Sequence, residues 1–121
     1  MRVRIGRHFE FEASHRLPPD ECYGKCSNLH GHRYELTVEI EGIPSSKGWI
    51  CDFEEVTVLV NRTIIEKYDH SDLNSYFDIP TVEMIAQEIF SQLKAALLKR
   101  PYSLKRICLY ETRNSYAEVI E

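Results

Sequence analysis

Apolar and polar residues alternate along the start of the chain. Val3, Ile5, Phe9, Phe11 and Ala13 hold odd positions, while Arg2, Arg4, His8, Glu10 and Glu12 hold even ones. Successive side chains of a strand point to opposite faces, so period two predicts a half-buried strand. Arg7 is the exception on the apolar parity, and two residues past Ala13 the same parity carries His15 to the buried side. Residues 16–29 contain Pro18, Pro19, Gly24, Ser27 and Asn28, which is loop chemistry. Alternation then returns with the opposite parity. His30, His32, Tyr34, Leu36, Val38 and Ile40 share one face, and Arg33, Glu35, Thr37, Glu39 and Glu41 the other. The two segments fit a long antiparallel pair with one wet face.

Downstream the period changes. Gly42 to Gly48 is rich in Gly, Pro and Ser and predicts a turn. Asp52 with Glu55 three residues on resembles a capping box. Phe53, Val56, Val60 and Ile64, widened by Leu59, follow at helical spacing, and the pattern ends near Tyr68. A polar stretch from Asp69 to Asn74 separates it from a second helix. Thr81 is its expected N-cap, Val82, Ile85, Ile89, Leu93 and Ala96/Leu97 its apolar stripe, and Pro101 its stop. Leu104 to Glu111 and Tyr116 to Ile120 read as strands joined by a hairpin turn at Thr112 to Ser115. The order β-β-α-α-β-β predicts one α+β domain over residues 1–121, a four-stranded antiparallel sheet with two helices on one face. The edges of such an open sheet are unpaired, and a second subunit is the expected cover.

Composition narrows the partners. The chain has 121 residues and 15 basic against 19 acidic side chains, for a net charge of −4. That balance gives no support to nucleic acid as a partner. No apolar run exceeds four residues, so no membrane span and no secretory leader is expected. The four cysteines are then expected as reduced thiols, and the cytoplasm as the compartment.

Five histidines are dense for so short a chain, and two form His30-Gly31-His32. Residues i and i+2 of a strand share a face about 6.5–7 Å apart at Cα. His15, on the buried parity of the neighbouring strand end, offers a third ring nitrogen. Three histidines with an open position is the pattern of a catalytic zinc site. Cys22 and Cys26 next to His30 and His32 spell a competing closed Cys₂His₂ site, although the usual long spacer is missing and His15 is left idle. Cys26, close to Lys25 and to a metal, is a candidate general base. Cys51 and Cys108 lie among apolar residues and read as core. Asp69-His70 is a candidate acid–base pair, yet the local pattern alone reads as a histidine at a helix end beside a solvated aspartate. Glu111 shares parity with Ile107 and Leu109, where a carboxylate needs a partner. A guanine-like N–H pair suits it, and so does a salt bridge to Arg113.

These pieces, in this order, resemble the 6-pyruvoyltetrahydropterin synthase family, and within it the bacterial-type 6-carboxytetrahydropterin synthases of the queuosine and 7-deazaguanine route. The resemblance runs nearly end to end. It rests on Phe9 to Leu17, the Cys-x-x-x-His-Gly-His run from Cys26 to His32, Gly48 to Phe53, Tyr68-Asp69-His70 with Leu73-Asn74, Pro80 to Glu83, and Tyr110-Glu111-Thr112. It implies the tunnelling fold, in which three subunits close a barrel and two trimers stack into a hexamer. It implies Zn2+ on His15, His30 and His32, catalysis by Cys26 with Asp69 and His70, a group able to meet across a subunit boundary, and Glu111 on the pterin ring. The implied substrate is 7,8-dihydroneopterin triphosphate, which loses triphosphate and acetaldehyde; in the pyruvoyl branch the two-carbon fragment stays. The three-residue gap between Cys26 and His30 is the carboxytetrahydropterin type, and Cys26 stands where a folate-precursor branch has Glu. Cys22 is a departure from the pattern. Lys25, Arg16 and Arg113 are candidates for the triphosphate.

Overall fold

Val3–His15 forms β1 and His30–Gly42 forms β2, an antiparallel pair in which Val3 faces Gly42 and His15 faces His30. Both follow the predicted alternation, and Phe11, Tyr34, Leu36, Val38 and Ile40 are buried on the shared inner face. Arg7, the exception in the pattern, stays on that face because its guanidinium lies 5.5 Å above the Phe53 ring. The computed structural model describes residues 1–121, and with β3 (Ser71–Asp72), β4 (Ser103–Thr112) and β5 (Ser115–Ile120) the strands run β3-β1-β2-β4-β5 across one sheet. β4 (Ser103–Thr112) and β5 (Ser115–Ile120) extend it on the far side as an antiparallel hairpin.

The first helical run begins as α1 (Phe53–Val60), widens to a π-helical turn over Asn61–Ile65, and ends as α2 (Glu66–Tyr68). Spacing explains the widening. Val56, Val60, Ile64 and Tyr68 recur every fourth residue and all are buried. An α-helix turns 100° per residue, so each step of four drifts about 40°. A π turn absorbs the drift and keeps all four side chains on the sheet. Asp52 caps this run by accepting the Glu54 N–H at 3.0 Å. Glu55 does not reach back as a capping box requires; it accepts from the Tyr102 hydroxyl and pairs with Arg100 at 3.1 Å. The second long helix, α3 (Val82–Ala96), is capped by Thr81 as expected, and buries Ile85, Ile89 and Leu93.

Two features depart from the predicted order. A short β3 (Ser71–Asp72) pairs in parallel with Ala13 and Ser14, so the sheet has five strands instead of four. The loop before β2 contains a 3₁₀ turn over Glu21–Ser27, reversed at Gly24, whose φ of 55 suits glycine. Cys108 is buried as expected, while Cys51 is only partly covered, at the rim of the core. No helix is long and apolar enough to cross a membrane.

Candidate metal centre and active site

Strand register builds the site. His15 and His30 are direct cross-strand partners, and His32 sits two residues along β2, opposite Ala13. All three therefore point to the inner face. Their ring centroids stand 4.5, 5.0 and 4.9 Å apart, with interplanar angles of 62°, 80° and 89°. One nitrogen from each ring lies within 4.8 Å of the other two. Below them Tyr34 stacks on Phe11 at 5.0 Å and closes the floor. Burial, helped by Glu111, pushes the Tyr34 phenol above its ordinary range, so it stays protonated.

The protonation pattern shows what the triad fits. His15 Nδ1 lies 2.7 Å from the Pro80 carbonyl, and His30 Nδ1 2.7 Å from the Asn28 carbonyl. A carbonyl only accepts, so both Nδ1 atoms carry the proton. In neutral rings both Nε2 atoms are then bare lone pairs, and they face each other at 3.0 Å. That contact is repulsive unless a cation joins it or one ring takes a second proton. His32 Nε2 is buried with no hydrogen-bond partner. Burial, against the opposing pull of Glu111, holds the His32 pKa below its usual value and so favours its neutral ring. Three converging imidazole nitrogens, two of them on rings oriented by carbonyls, suit a borderline ion such as zinc.

The structure brings Glu111 to this cluster. Its carboxylate oxygens lie 4.0 Å from His15 Nε2 and 3.9 Å from His32 Nε2. It makes no salt bridge to Arg113, and those two imidazole nitrogens are the basic groups within 4.0 Å of it in the chain. Asp69 and His70 do meet each other, with Oδ1 3.1 Å from Nδ1. His70 has a φ of 60, an uncommon left-handed conformation for a side chain of its size. Its backbone N–H donates to the Glu12 carbonyl at 2.6 Å, and the Glu12 N–H donates to Asp69 at 3.0 Å. That backbone hydrogen bond, reinforced by His70, lowers the Asp69 pKa. His70 and His32 line one shallow cavity of about 430 Å³ with Gly31 and Arg33.

Cys26 is exposed on the 3₁₀ turn, and no hydrogen bond or ion pair ties it, Asp69 or His70 to the histidines within one chain. Cys22 is exposed as well, and neither cysteine belongs to the ligand cluster. The closed Cys₂His₂ arrangement is therefore not assembled. The sequence reading missed the carbonyls of Pro80 and Asn28, because backbone acceptors have no residue signature. It also missed Tyr34 as the floor, although its place two residues after His32 on the same face was visible.

A triad of histidines at the end of the sheet, one buried and two partly buried, with a carboxylate beside it, defines an α+β protein with a group that could hold a metal ion. The 6-pyruvoyl tetrahydropterin synthase family model matches residues 4–121, and the chain belongs to that family. It is 33% identical to a 6-carboxy-5,6,7,8-tetrahydropterin synthase of Haemophilus influenzae, covering 98% of this chain and 99% of that one. It is also 33% identical to a dihydroneopterin monophosphate aldolase of Pyrococcus furiosus, covering 92% and 91%. The fold matches the Caenorhabditis elegans 6-pyruvoyl tetrahydropterin synthase with a TM-score of 0.90 at 24% identity, over 100% of this chain and 96% of the other.

Proposed function

We propose that this protein is a zinc-dependent 6-carboxy-5,6,7,8-tetrahydropterin synthase. It converts 7,8-dihydroneopterin triphosphate and one water to 6-carboxytetrahydropterin, triphosphate and acetaldehyde, in queuosine and 7-deazaguanine biosynthesis, as a cytoplasmic hexamer of two trimers. The observation that carries this reading is the convergence of ring nitrogens from His15, His30 and His32 beside the Glu111 carboxylate. The Haemophilus relative supports the carboxytetrahydropterin branch over the pyruvoyl one.

His15, His30 and His32 hold the zinc, which when bound supplies Lewis-acid polarisation of the substrate's side-chain hydroxyls. Glu111 accepts the exocyclic amine and the adjacent ring N–H of the pterin, fixing its orientation. Cys26, as thiolate, removes a proton from the side chain. Asp69 holds the His70 imidazole, which returns a proton. The ring is reduced at the expense of the side chain, so no redox cofactor takes part.

Zinc-loaded protein incubated with dihydroneopterin triphosphate should release acetaldehyde. Triphosphate release without acetaldehyde would place it in the pyruvoyl branch, and no turnover would refute the lyase reading. Dihydroneopterin monophosphate serves as the control substrate. His15→Ala, His30→Ala and His32→Ala should each lose stoichiometric zinc by atomic absorption, whereas Cys22→Ala should keep it.

A further inference from the structure

β1 ends at His15, and there β2 begins, so no ladder bond from β2 holds the chain beyond that point. The segment after α2 holds it instead. Asp69 and His70 bind the backbone of Glu12, and Ser71 and Asp72 pair with Ala13 and Ser14. The Asn74 carboxamide then takes Arg16 at two points. The Arg16 N–H donates to Asn74 Oδ1 at 2.8 Å, and Asn74 Nδ2 donates to the Arg16 carbonyl at 2.9 Å. Asn74 is itself fixed, because Asp72 Oδ1 accepts its backbone N–H at 3.1 Å. The next residue, Leu17, donates its N–H to the Cys26 carbonyl at 2.8 Å, and Ser27 Oγ donates to the Pro18 carbonyl at 2.9 Å.

We propose that Asn74 is a positioning residue for both halves of the site: it fixes the exit of His15 from β1 and, through Arg16 and Leu17, the loop that carries Cys26. This rests on the roles proposed above for those residues. A primary amide offers an acceptor and a donor side by side, and so matches the N–H and C=O of one backbone residue. Aspartate keeps the shape and the acceptor but turns an oxygen toward the Arg16 carbonyl. It is therefore the discriminating substitution.

The test uses the full-length apo protein titrated with cobalt(II) alone and followed by its visible absorption bands. Iodoacetamide labelling of Cys26, mapped by peptide mass, is measured in parallel. Asn74→Asp and Asn74→Ala should each weaken cobalt binding by about tenfold, the low end for groups that orient metal ligands. Both should alkylate faster at Cys26 at temperatures well below melting, and should lose kcat more than they raise KM. Wild-type cobalt affinity and alkylation rate in Asn74→Asp overturn the proposal, whatever its melting temperature. Should that variant not fold, Asn74→Ser carries the same test, since its single hydroxyl cannot bridge both backbone groups. Cobalt binding and alkylation need no pterin turnover, so failure of the lyase reading is told apart from failure of this one.

Discussion

Glu111 occupies a position where a carboxylate is costly without a partner, and the basic groups near it in the chain are the His15 and His32 nitrogens at 4.0 and 3.9 Å, beyond hydrogen-bond distance. Replacement by glutamine keeps the shape and turns one acceptor into a donor, so one pterin N–H meets an N–H. Glu111→Gln should weaken pterin binding by about 2–4 kcal/mol, roughly 30- to 1,000-fold, with melting temperature nearly unchanged. Isothermal titration with a pterin analogue, beside a thermal melt, separates this from a structural role. Asp69 gives a pH prediction. Its folded pKa lies below the reference value of 3.8, so it contributes stability above that value and loses it as pH falls through the folded pKa. Asp69→Asn keeps an acceptor for the Glu12 N–H but does not titrate. Its unfolding free energy should fall less steeply below about pH 4 than that of the wild type, as measured by urea titration at stepped pH. Residues at this scale were legible where parity governs. His15, His30 and His32 sit where alternation put them, because register converts parity into position, whereas Glu111 meets them from a register shift between Tyr110 and Thr112. Cys26 is singled out by its place beside Lys25 and the histidine motif, while the roles proposed for Asp69 and His70 rest on motif resemblance, since loop geometry follows no period.

At the scale of elements, four-residue spacing in the first helix is compatible with either an α or a π turn, so periodicity found the helix and not its bulge. β3 was invisible for a different reason. Two residues are too short for any alternation, and Ser71–Asp72 is held by backbone contacts that the sequence does not encode locally. The end of β2 offers a sharper test of packing. Gly42 is buried, and a Cβ there would lie 3.0 Å from Ile50 Cγ2 and 3.2 Å from Tyr102 Cβ. Gly42→Ala should therefore cost about 1–3 kcal/mol by overpacking. Adding Ile50→Ala removes the nearer neighbour, so the double variant should lose less than the two single changes together. Denaturant unfolding at one fixed protein concentration checks this. Strict additivity would show that the strand end shifts freely and that the contact does not constrain it.

For the whole molecule, the open question is what covers the sheet edges. β3 shields β1 only at Ala13 and Ser14, leaving Val3 to Glu12 with no strand on that side. β5 forms the opposite edge and exposes Tyr116 and Ile120. Long open edges of this kind template pairing with another chain, and closure into a barrel removes them. A ring formed by joining one edge to the other is heterologous and closes by rotation, which is how identical subunits satisfy both edges at once. The proposed hexamer therefore has a mass of about 85 kDa, six times the 14.2 kDa of one chain. Light scattering behind size exclusion should report that mass. A proline at Ala117, in the middle of the β5 edge strand, removes one ladder N–H and should shift the distribution toward smaller species. Such a variant should also lose turnover at dilutions where it dissociates, if Cys26 and the Asp69–His70 pair meet across a subunit boundary. Full activity in a species of 14.2 kDa would show instead that one chain assembles the whole site by loop movement.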